Sequence, residues 1–266
     1  MISDYDGTLG GAPSNDIDEQ TLLAINQFID RGGKFVICSG RAFSSIRPIC
    51  QKSGLKGLVV SYQGAMINDI QTGETLFEGG LDTDTACDVI KTFYNNNLQA
   101  LAYLDDEFYY QENSPYVEYY ENMIKLKGVQ VKDLIDTVKS MNKNASKVCA
   151  MCENEIIDGL VAGFNQEYKG KGVSFNSGAK HLLEVINPTS DKGSAVRFLS
   201  KHYGIPLDKI ITVGDSTNDK ALVSGEWYGV AVGDGHEQLK AVAKEVTVPF
   251  KDKPVKYLIE KYCLND

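Results

Sequence analysis

Two acidic clusters near opposite ends of the chain hold the residues best suited to chemistry. Asp4–Leu9 (DYDGTL) follows the apolar pair Met1-Ile2, and Gly214–Asp219 (GDSTND) follows the apolar run Ile210–Val213. Ligands of open α/β sheets bind in the crevice outside the carboxyl ends of the strands, so both clusters are expected at one site. Carboxylates crowded there would repel one another and stay protonated unless a cation held them ionised. The clusters therefore predict a site for a hard divalent cation with oxygen ligands, with Mg2+ as the first choice.

The composition is that of a globular protein whose partner is a small molecule. The chain has 266 residues, 42% of them hydrophobic and 24% charged, and a formal net charge of −9. No run of Lys and Arg offers a footprint for nucleic acid, which argues against a general nucleic-acid binder. No apolar stretch reaches the roughly 18 residues that a transmembrane helix requires. With no room for a signal peptide before Asp4, we expect a cytoplasmic protein without a membrane partner.

Six cysteines are scattered without the spacing of a disulfide framework, as expected for reduced and mostly buried thiols. Cys149 and Cys152 have the spacing of half a redox or zinc motif. They lie in the apolar segment Lys147–Cys152, which reads as a strand, and residues three apart on a strand face opposite sides. No second pair of Cys or His completes a metal site, so we interpret this pair as structural.

The first third of the chain alternates short apolar runs with helical stripes. These patterns predict strands at Met1-Ile2, Phe35–Cys38 and Leu58–Val60, and helices at about Leu22–Ile29 and Phe43–Lys52. A β-α-β-α-β order favours a parallel sheet with helices on its faces.

Near residue 80 the pattern changes to that of an α+β domain, and the α/β alternation resumes at Lys192. The later predicted elements are helices Thr83–Asn95 and Pro115–Lys125, strands within Gln99–Tyr110 around the turn Asp105-Asp106, mixed segments at Asp133–Met141, Lys147–Cys152, Val173–Asn176 and Leu182–Ile186, a helix from Lys192 to about His202, strands Ile210–Val213 and Tyr228–Val232, and a closing helix Lys253–Tyr262. We therefore predict an α/β fold with a doubly wound parallel-sheet core over residues 1–80 and 187–266. An α+β domain over residues 81–186 is inserted into that core.

Four motifs in chain order resemble those of the haloacid dehalogenase-like (HAD) phosphatases, in the Cof-type branch with a large inserted cap. They are Asp4-x-Asp6-Gly7-Thr8-Leu9, Ser39 after the second strand, Lys192, and Gly214-Asp215-x-x-Asn218-Asp219. The resemblance covers the whole chain and implies a Rossmann-like core. It also implies that the inserted domain, between Ser39 and Lys192, is the cap.

The resemblance implies a role for each matching residue. Asp4 would attack phosphorus and form an aspartyl-phosphate, and Asp6 would act as general acid and base. The implied phosphate-binding residues are Ser39, Gly40, Lys192 and Asn218. The implied Mg2+ site comprises Asp4, the main-chain carbonyl of Asp6, Asp215 and Asp219, with the orientation of Lys192 as the alternative role of Asp219.

Each motif taken alone has a simpler interpretation. Asp-x-Asp-Gly is common in surface turns, Ser39-Gly40-Arg41 is typical of a helix N-cap, and Lys192 could be a solvated helix residue. Their joint occurrence favours the active site, although no separate role follows for Arg41. Two features depart from the family pattern: the first strand is short, and Gln63 stands where the family often has Asn.

The sequence thus predicts a Mg2+-dependent phosphatase of small phosphorylated metabolites, with sugar phosphates as the leading substrate class. A phosphomutase or phosphotransferase on the same core is the enzymatic alternative. The non-enzymatic alternative is a signalling module phosphorylated on Asp. Such a module carries its acidic pair and phosphoacceptor within a single small domain, whereas here a whole domain separates the two clusters.

Overall fold

A computed structural model describes residues 1–11, 15–124, 126–177 and 180–264. The predicted helix end at Lys125 and the predicted domain end at residue 266 lie outside the described residues. The chain divides into two compact units, one of Met1–Leu76 with Asp191–Asp266 and one of Phe77–Ser190. Among the described residues, no helix is both long and apolar enough to cross a membrane.

The strands are β1 Ile2–Ser3, β2 Val36–Cys38, β3 Leu58–Ser61, β4 Met66–Asp69, β5 Thr75–Glu78, β6 Gln99–Leu104, β7 Glu107–Tyr110, β8 Val129–Gln130, β9 Lys147–Met151, β10 Ser174–Ser177, β11 Leu182–Ile186, β12 Ile211–Gly214, β13 Tyr228–Ala231 and β14 Glu245–Val246. The helices are α1 Glu19–Asp30, α2 Phe43–Lys52, α3 Thr83–Asn95, α4 Pro115–Ile124, α5 Leu134–Met141, α6 Asn154–Glu167, α7 Lys192–Tyr203, α8 Lys220–Val223, α9 Glu237–Lys240 and α10 Pro254–Ile259.

An eight-stranded sheet in the order β14-β13-β12-β1-β2-β3-β4-β5 forms the centre of the first unit. All its pairs from β14 to β3 are parallel, and β4 then pairs antiparallel with β3. The chain winds one way from β1 through β2 to β3 and the other way from β12 to β14. The order therefore reverses between β1 and β12, which is where a doubly wound sheet opens a binding crevice. The predicted doubly wound, Rossmann-like fold class is confirmed.

Strand β1 is short but is held from both sides. Ile2 lies opposite Val36 of β2 and opposite Thr212 of β12. Both residues of β1 are buried, and the amino group of Met1 donates to the carbonyl of Lys34 at 2.6 Å. Pairing on two sides fixes the residue that follows the strand even though the strand has only two residues.

Helix α7 begins with a capped first turn that positions Lys192. The side chain of Asp191 accepts a hydrogen bond from the amide of Ser194 at 2.7 Å, so Asp191 is the N-cap. The helix ends at Gly204, which has φ of +65° and adopts the left-handed conformation that glycine tolerates. Lys192 is therefore the first helical residue and is directed by a defined helix start.

The second unit has its own six-stranded sheet, in the order β10-β11-β9-β6-β7-β8. One hydrophobic core joins α3, α5 and α6 to alternate residues of the central strands. Val148, Ala150 and Cys152 belong to this core, whereas Cys149 alternates with them and is buried outside it. This alternation agrees with the prediction that the two cysteines face opposite sides of a strand.

Several elements of the structure differ from the sequence prediction, among them the short strands β8 and β14 and the short helices α8 and α9, which were not predicted. Helix α6 and the β4–β5 hairpin were not predicted, and the closing helix ends at Ile259 before a π-helical segment, Glu260–Leu264. Helix α6 contains Gly159 and Gly163, which lower its intrinsic helix propensity and mask the pattern. The helix forms because Ile157 and Phe164 are buried in the core of the second unit.

Candidate active site

The two acidic clusters meet at the crevice between β1 and β12. The backbone amide of Asp4 donates to the carbonyl of Val213 at 2.9 Å, which ties the loop after β1 to the end of β12. The hydroxyl of Thr8 donates to Oδ1 of Asp215 at 2.9 Å and joins the clusters a second time. Gly7 has φ of +77°, and a Cβ there would lie 2.5 Å from Oδ2 of Asp215. Only glycine lets the first loop approach the second so closely.

Lys192 lies between two carboxylates in the interior of this site. Its Nζ is 2.5 Å from Oδ1 of Asp4 and 2.6 Å from Oδ1 of Asp219. The side chains of Lys192 and Asp219 are 1% and 0% exposed, respectively. A buried ammonium is tolerated only when it is paired and hydrogen-bonded, and these two contacts meet that condition.

Asp219 is held by hydrogen bonds to both of its carboxylate oxygens. Its Oδ1 accepts from Lys192, and its Oδ2 accepts from the backbone amides of Asp215 and Ser216, each at 3.1 Å. The short helical turn Thr217–Asp219 supplies this geometry, with Ser216 and Asp219 forming a capping box. Asn218 lies exposed in the same turn.

The carboxylates outnumber the ammonium in this cluster. One oxygen each of Asp4, Asp215 and Asp219 lie within 4.8 Å of one another. Burial raises the pKa of Asp4, and the charges of Asp219 and Asp215 raise it further, whereas Lys192 opposes the rise. Burial also raises the pKa of Asp215 to about 6. For Lys192, burial alone would lower the pKa, but Asp4 and Asp219 together outweigh it and the pKa is raised.

The donor set fits a hard divalent cation. It consists of carboxylate oxygens, which Mg2+ prefers, and a cation there would relieve the repulsion that raises the pKa values of Asp4 and Asp215. Asp4 and Asp215 are the better suited ligands, because both oxygens of Asp219 already accept hydrogen bonds.

Ser39 and Gly40 follow β2, the strand next to β1. Ser39 is buried, its amide donates to the carbonyl of Val60 at 2.9 Å, and its Oγ accepts from the amide of Arg41 at 3.1 Å. Burial raises the pKa of Cys38, the residue before Ser39, to about 12, while the charges of Lys192, Asp4 and Asp219 also act on it. The end of β2 thus lies within electrostatic reach of the acidic cluster.

Gly40 contacts a loop whose backbone is strained. A Cβ on Gly40 would lie 2.3 Å from Nε2 of Gln63. Tyr62 and Gln63 have φ of +50° and +59°, an uncommon conformation for residues other than glycine. Their amides donate to the carbonyls of Arg41 and Ser39, so the loop is attached to the segment after β2.

The side chain of Asp6 lies apart from the carboxylate cluster. It is 50% exposed and forms an ion pair with Arg41, with Nη2 2.6 Å from Oδ1 and Nε 2.8 Å from Oδ2. Sequence reasoning gave Arg41 no role. The signal that could have pointed to it is its place two residues after Ser39, at the end of the strand beside β1.

Comparisons with known proteins identify the family of the chain. The model of the haloacid dehalogenase-like hydrolase family matches residues 1–259. The HMP-PP phosphatase of Serratia proteamaculans is 26% identical over 248 residues, which cover 92% of this chain and 87% of that protein. The endoribonuclease YBEY, chloroplastic, of Arabidopsis thaliana is 25% identical over 272 residues and 99% of this chain, but the chain spans only 46% of that protein's length.

A solved structure supports the same fold. The crystal structure of TM0651 from Thermotoga maritima superposes with a TM-score of 0.84 at 24% identity, covering 99% of this chain and 98% of that one. The family model covers almost the entire chain, and the resemblance seen in the four motifs is confirmed. The chain therefore belongs to the haloacid dehalogenase-like hydrolase family and is a phosphatase of that family.

Proposed function

We propose that this protein is a Mg2+-dependent phosphatase that hydrolyses small phosphorylated metabolites through an aspartyl-phosphate on Asp4. The observation that carries the proposal is the buried contact between Asp4 and Lys192, with Asp215 and Asp219 beside them at the crevice of a doubly wound sheet. Similarity to an HMP-PP phosphatase supports a small phosphorylated substrate. Sugar phosphates are the first class to test.

In the proposed reaction, a carboxylate oxygen of Asp4 attacks phosphorus as the bond to the leaving oxygen breaks. Asp6 gives a proton to that oxygen, so an alcohol departs. Water then attacks phosphorus, Asp6 takes its proton, and the bond to Asp4 breaks, which returns the free carboxylate and releases inorganic phosphate. Over the two steps, the proton that Asp6 gives to the leaving oxygen is replaced by one from water, and each bond formed to phosphorus replaces one that breaks.

The surrounding residues have positioning and electrostatic roles. Asp4 and Asp215 would hold Mg2+, which neutralises phosphate charge when bound. Lys192 supplies a fixed positive charge beside the nucleophile, and Asp219 orients it through the 2.6 Å contact. Ser39 and Gly40 at the end of β2, with Asn218 in the exposed turn, are assigned to the phosphate group.

The second unit, Phe77–Ser190, is assigned to substrate selection as the cap. It is inserted between the residues that bind the phosphate, so it can vary without disturbing them. The scattered cysteines suit a reducing compartment, and we place the enzyme in the cytoplasm.

Hydrolysis of an aryl phosphate and of a panel of phosphorylated metabolites tests this function. We expect turnover that stops in excess chelator, returns with excess Mg2+, and falls at least about a thousandfold in Asp4→Asn. Asp69→Asn, at the β4–β5 hairpin, is the matched control and should keep its activity. Full activity in chelator would refute the cation, and near wild-type turnover in folded Asp4→Asn would refute the nucleophile. Transfer to an added sugar in preference to release of inorganic phosphate would indicate a phosphotransferase.

A further inference from the structure

Arg41 binds the carboxylate of Asp6 in a two-pronged geometry. Nε and Nη2 of Arg41 donate to Oδ2 and Oδ1 of Asp6, at 2.8 and 2.6 Å. An ammonium reaches both oxygens of a carboxylate from one nitrogen, as Lys143 does with Asp105, whereas the guanidinium presents two parallel donors in a plane. The pair therefore sets the rotation of the Asp6 carboxylate as well as its position.

Arg41 is itself held in place by neighbours of the same unit. Its Nη2 also donates to Oδ1 of Asn15 at 2.9 Å, and its guanidinium lies 4.9 Å from the centre of the Tyr5 ring. Tyr5 is fully buried, and its hydroxyl donates to the carbonyl of Asn15 at 2.7 Å. The backbone of Arg41 is bound at both ends, by the Oγ of Ser39 and the amide of Tyr62. The orientation of Asp6 is thus imposed by a fixed partner.

Stability gives little reason for this arrangement. The side chains of Arg41 and Asp6 are 23% and 50% exposed, and pairs this exposed contribute about 0–1 kcal/mol to folding. Asp6 is nonetheless the residue after the buried Tyr5 and two residues beyond Asp4, where a free carboxylate would sample several rotamers. The two bonds remove that freedom, and each carboxylate oxygen keeps a second lone pair that can bind the proton to be transferred.

We propose that Arg41 is a positioning residue that holds Asp6 in the orientation needed for proton transfer. The inference rests on the proposed function, because it requires Asp6 to be the general acid and base. Arg41 acts through Asp6 and does not bind the phosphate. Its loss should therefore slow the proton-transfer steps and spare the attack of Asp4 on a substrate with a good leaving group.

Pre-steady-state hydrolysis of p-nitrophenyl phosphate with Mg2+ tests this, on the full chain carrying Arg41→Gln, Asp6→Asn or both. We expect Arg41→Gln to release one nitrophenol per site at a rate within about twofold of wild type, followed by turnover slowed about 10- to 100-fold. With an alkyl phosphate, kcat should fall by a similar factor while KM stays within about twofold. Asp6→Asn should show the same pattern, and the double variant should be no slower than Asp6→Asn alone.

Two further variants guard against a loss caused only by folding. Arg41→Lys keeps the positive charge but lacks the two parallel N–H donors. Its melting temperature should match that of wild type, and its turnover should still be slow. Arg47→Gln is the matched control, because Arg47 donates to the carbonyls of Ile70 and Gln71 and lies over Phe43, away from Asp6. It should keep wild-type rates.

The outcomes separate this inference from the proposed function. If Asp6→Asn shows the burst but Arg41→Gln behaves like wild type, Arg41 has no positioning role. A slower burst, a raised KM, or an extra loss in the double variant would show that Arg41 contacts the substrate, which also overturns the inference. If Asp6→Asn turns over like wild type, the acid and base assignment fails and the inference fails with it.

Discussion

Replacing Asp215 with Asn should make the cation-free protein more stable. Burial raises the pKa of Asp215 from 3.8 to about 6, so ionising this carboxyl costs more in the folded than in the unfolded state. A carboxyl group whose pKa is higher in the folded state stabilises the fold at low pH. For Asp215 this contribution is fully present below about pH 4 and is lost as pH rises through about 6. At pH 7.5 the ionised Asp215 therefore opposes folding, and a neutral amide of the same shape does not.

The magnitude follows from the same pKa values. The difference between 3.8 and about 6 corresponds to about 3 kcal/mol. Asp215 is only partly buried, so solvent screening reduces the expected gain to about 1–1.5 kcal/mol. Asn retains a carbonyl oxygen that can accept from Thr8, so the contact between the two loops is kept.

Urea unfolding in chelator, at pH 7.5 and at pH 4, measures this effect. We expect Asp215→Asn to exceed wild type at pH 7.5 and to match it at pH 4. Saturating Mg2+ should reverse the order, because wild type gains about 2.7 kcal/mol at a hundred times its Kd and the variant gains little. Asp69→Asn is a control for which the opposite change in stability is expected. Hydrogen bonds from Thr72 and then Gln71 lower the pKa of Asp69, so removing this carboxylate should destabilise the protein at pH 7.5. The reasoning is refuted if Asp215→Asn is no more stable than wild type in chelator while the control behaves as expected.

Two further predictions concern residues that build the site. Lys192→Met should cost about 3–5 kcal/mol of unfolding free energy in chelator at pH 9, because two buried ionised carboxylates lose their shared partner. Burial raises the pKa of Asp4 to about 8, so the loss should shrink at pH 6, where Asp4 is protonated and only Asp219 loses an ion pair. An equal loss at both pH values would contradict this reasoning. Gly64→Ala should cost about 2 kcal/mol or more in urea unfolding, because Gly64 has φ of +111° and a Cβ there would lie 2.2 Å from the carbonyl oxygen before Lys192. Gly54→Ala should cost less unfolding free energy, because Gly54 has φ of +70° but open space around it. Equal losses in the two variants would show that the close approach at Gly64 has no effect on stability.

The sequence was sufficient to predict the elements whose signals are local. Helix α2 has the predicted bounds Phe43–Lys52, since its buried residues Phe43, Ile46 and Cys50 recur at helical spacing within one short segment. The strands next to β1 could be predicted from short apolar runs, and the fold class could be predicted from the order of strands and helices. Helix α6 was not predicted, because its stability comes from burial of Ile157 and Phe164 in a core that no local sequence pattern reveals.

The candidate site divides in a similar way. The meeting of Asp4 with Asp215 could be predicted, because parallel strands end at one edge of a sheet. The resemblance implied that Asp219 could orient Lys192, but the contact of Lys192 with Asp4 was not predicted, since nothing in the sequence fixes where the start of α7 lies. The pairing of Asp6 with Arg41 was not predicted at all. It depends on the side-chain conformations of two loops, which the order of strands does not determine.

Charge balance gives a physical reason for the proposed cation beside the buried lysine. Three carboxylates and one ammonium leave a net charge of −2 in a largely buried cluster. The raised pKa values of Asp4 and Asp215 show how the cation-free protein meets that cost, by favouring protonation. In the proposed reaction a protonated Asp4 would be a poor nucleophile, so protonation and catalysis would compete for the same carboxylate. A divalent cation held by Asp4 and Asp215 would supply the charge that removes this conflict, and the site would then no longer repel a phosphate dianion. Lys192 alone cannot offset a phosphate dianion, because its single charge is already shared between Asp4 and Asp219.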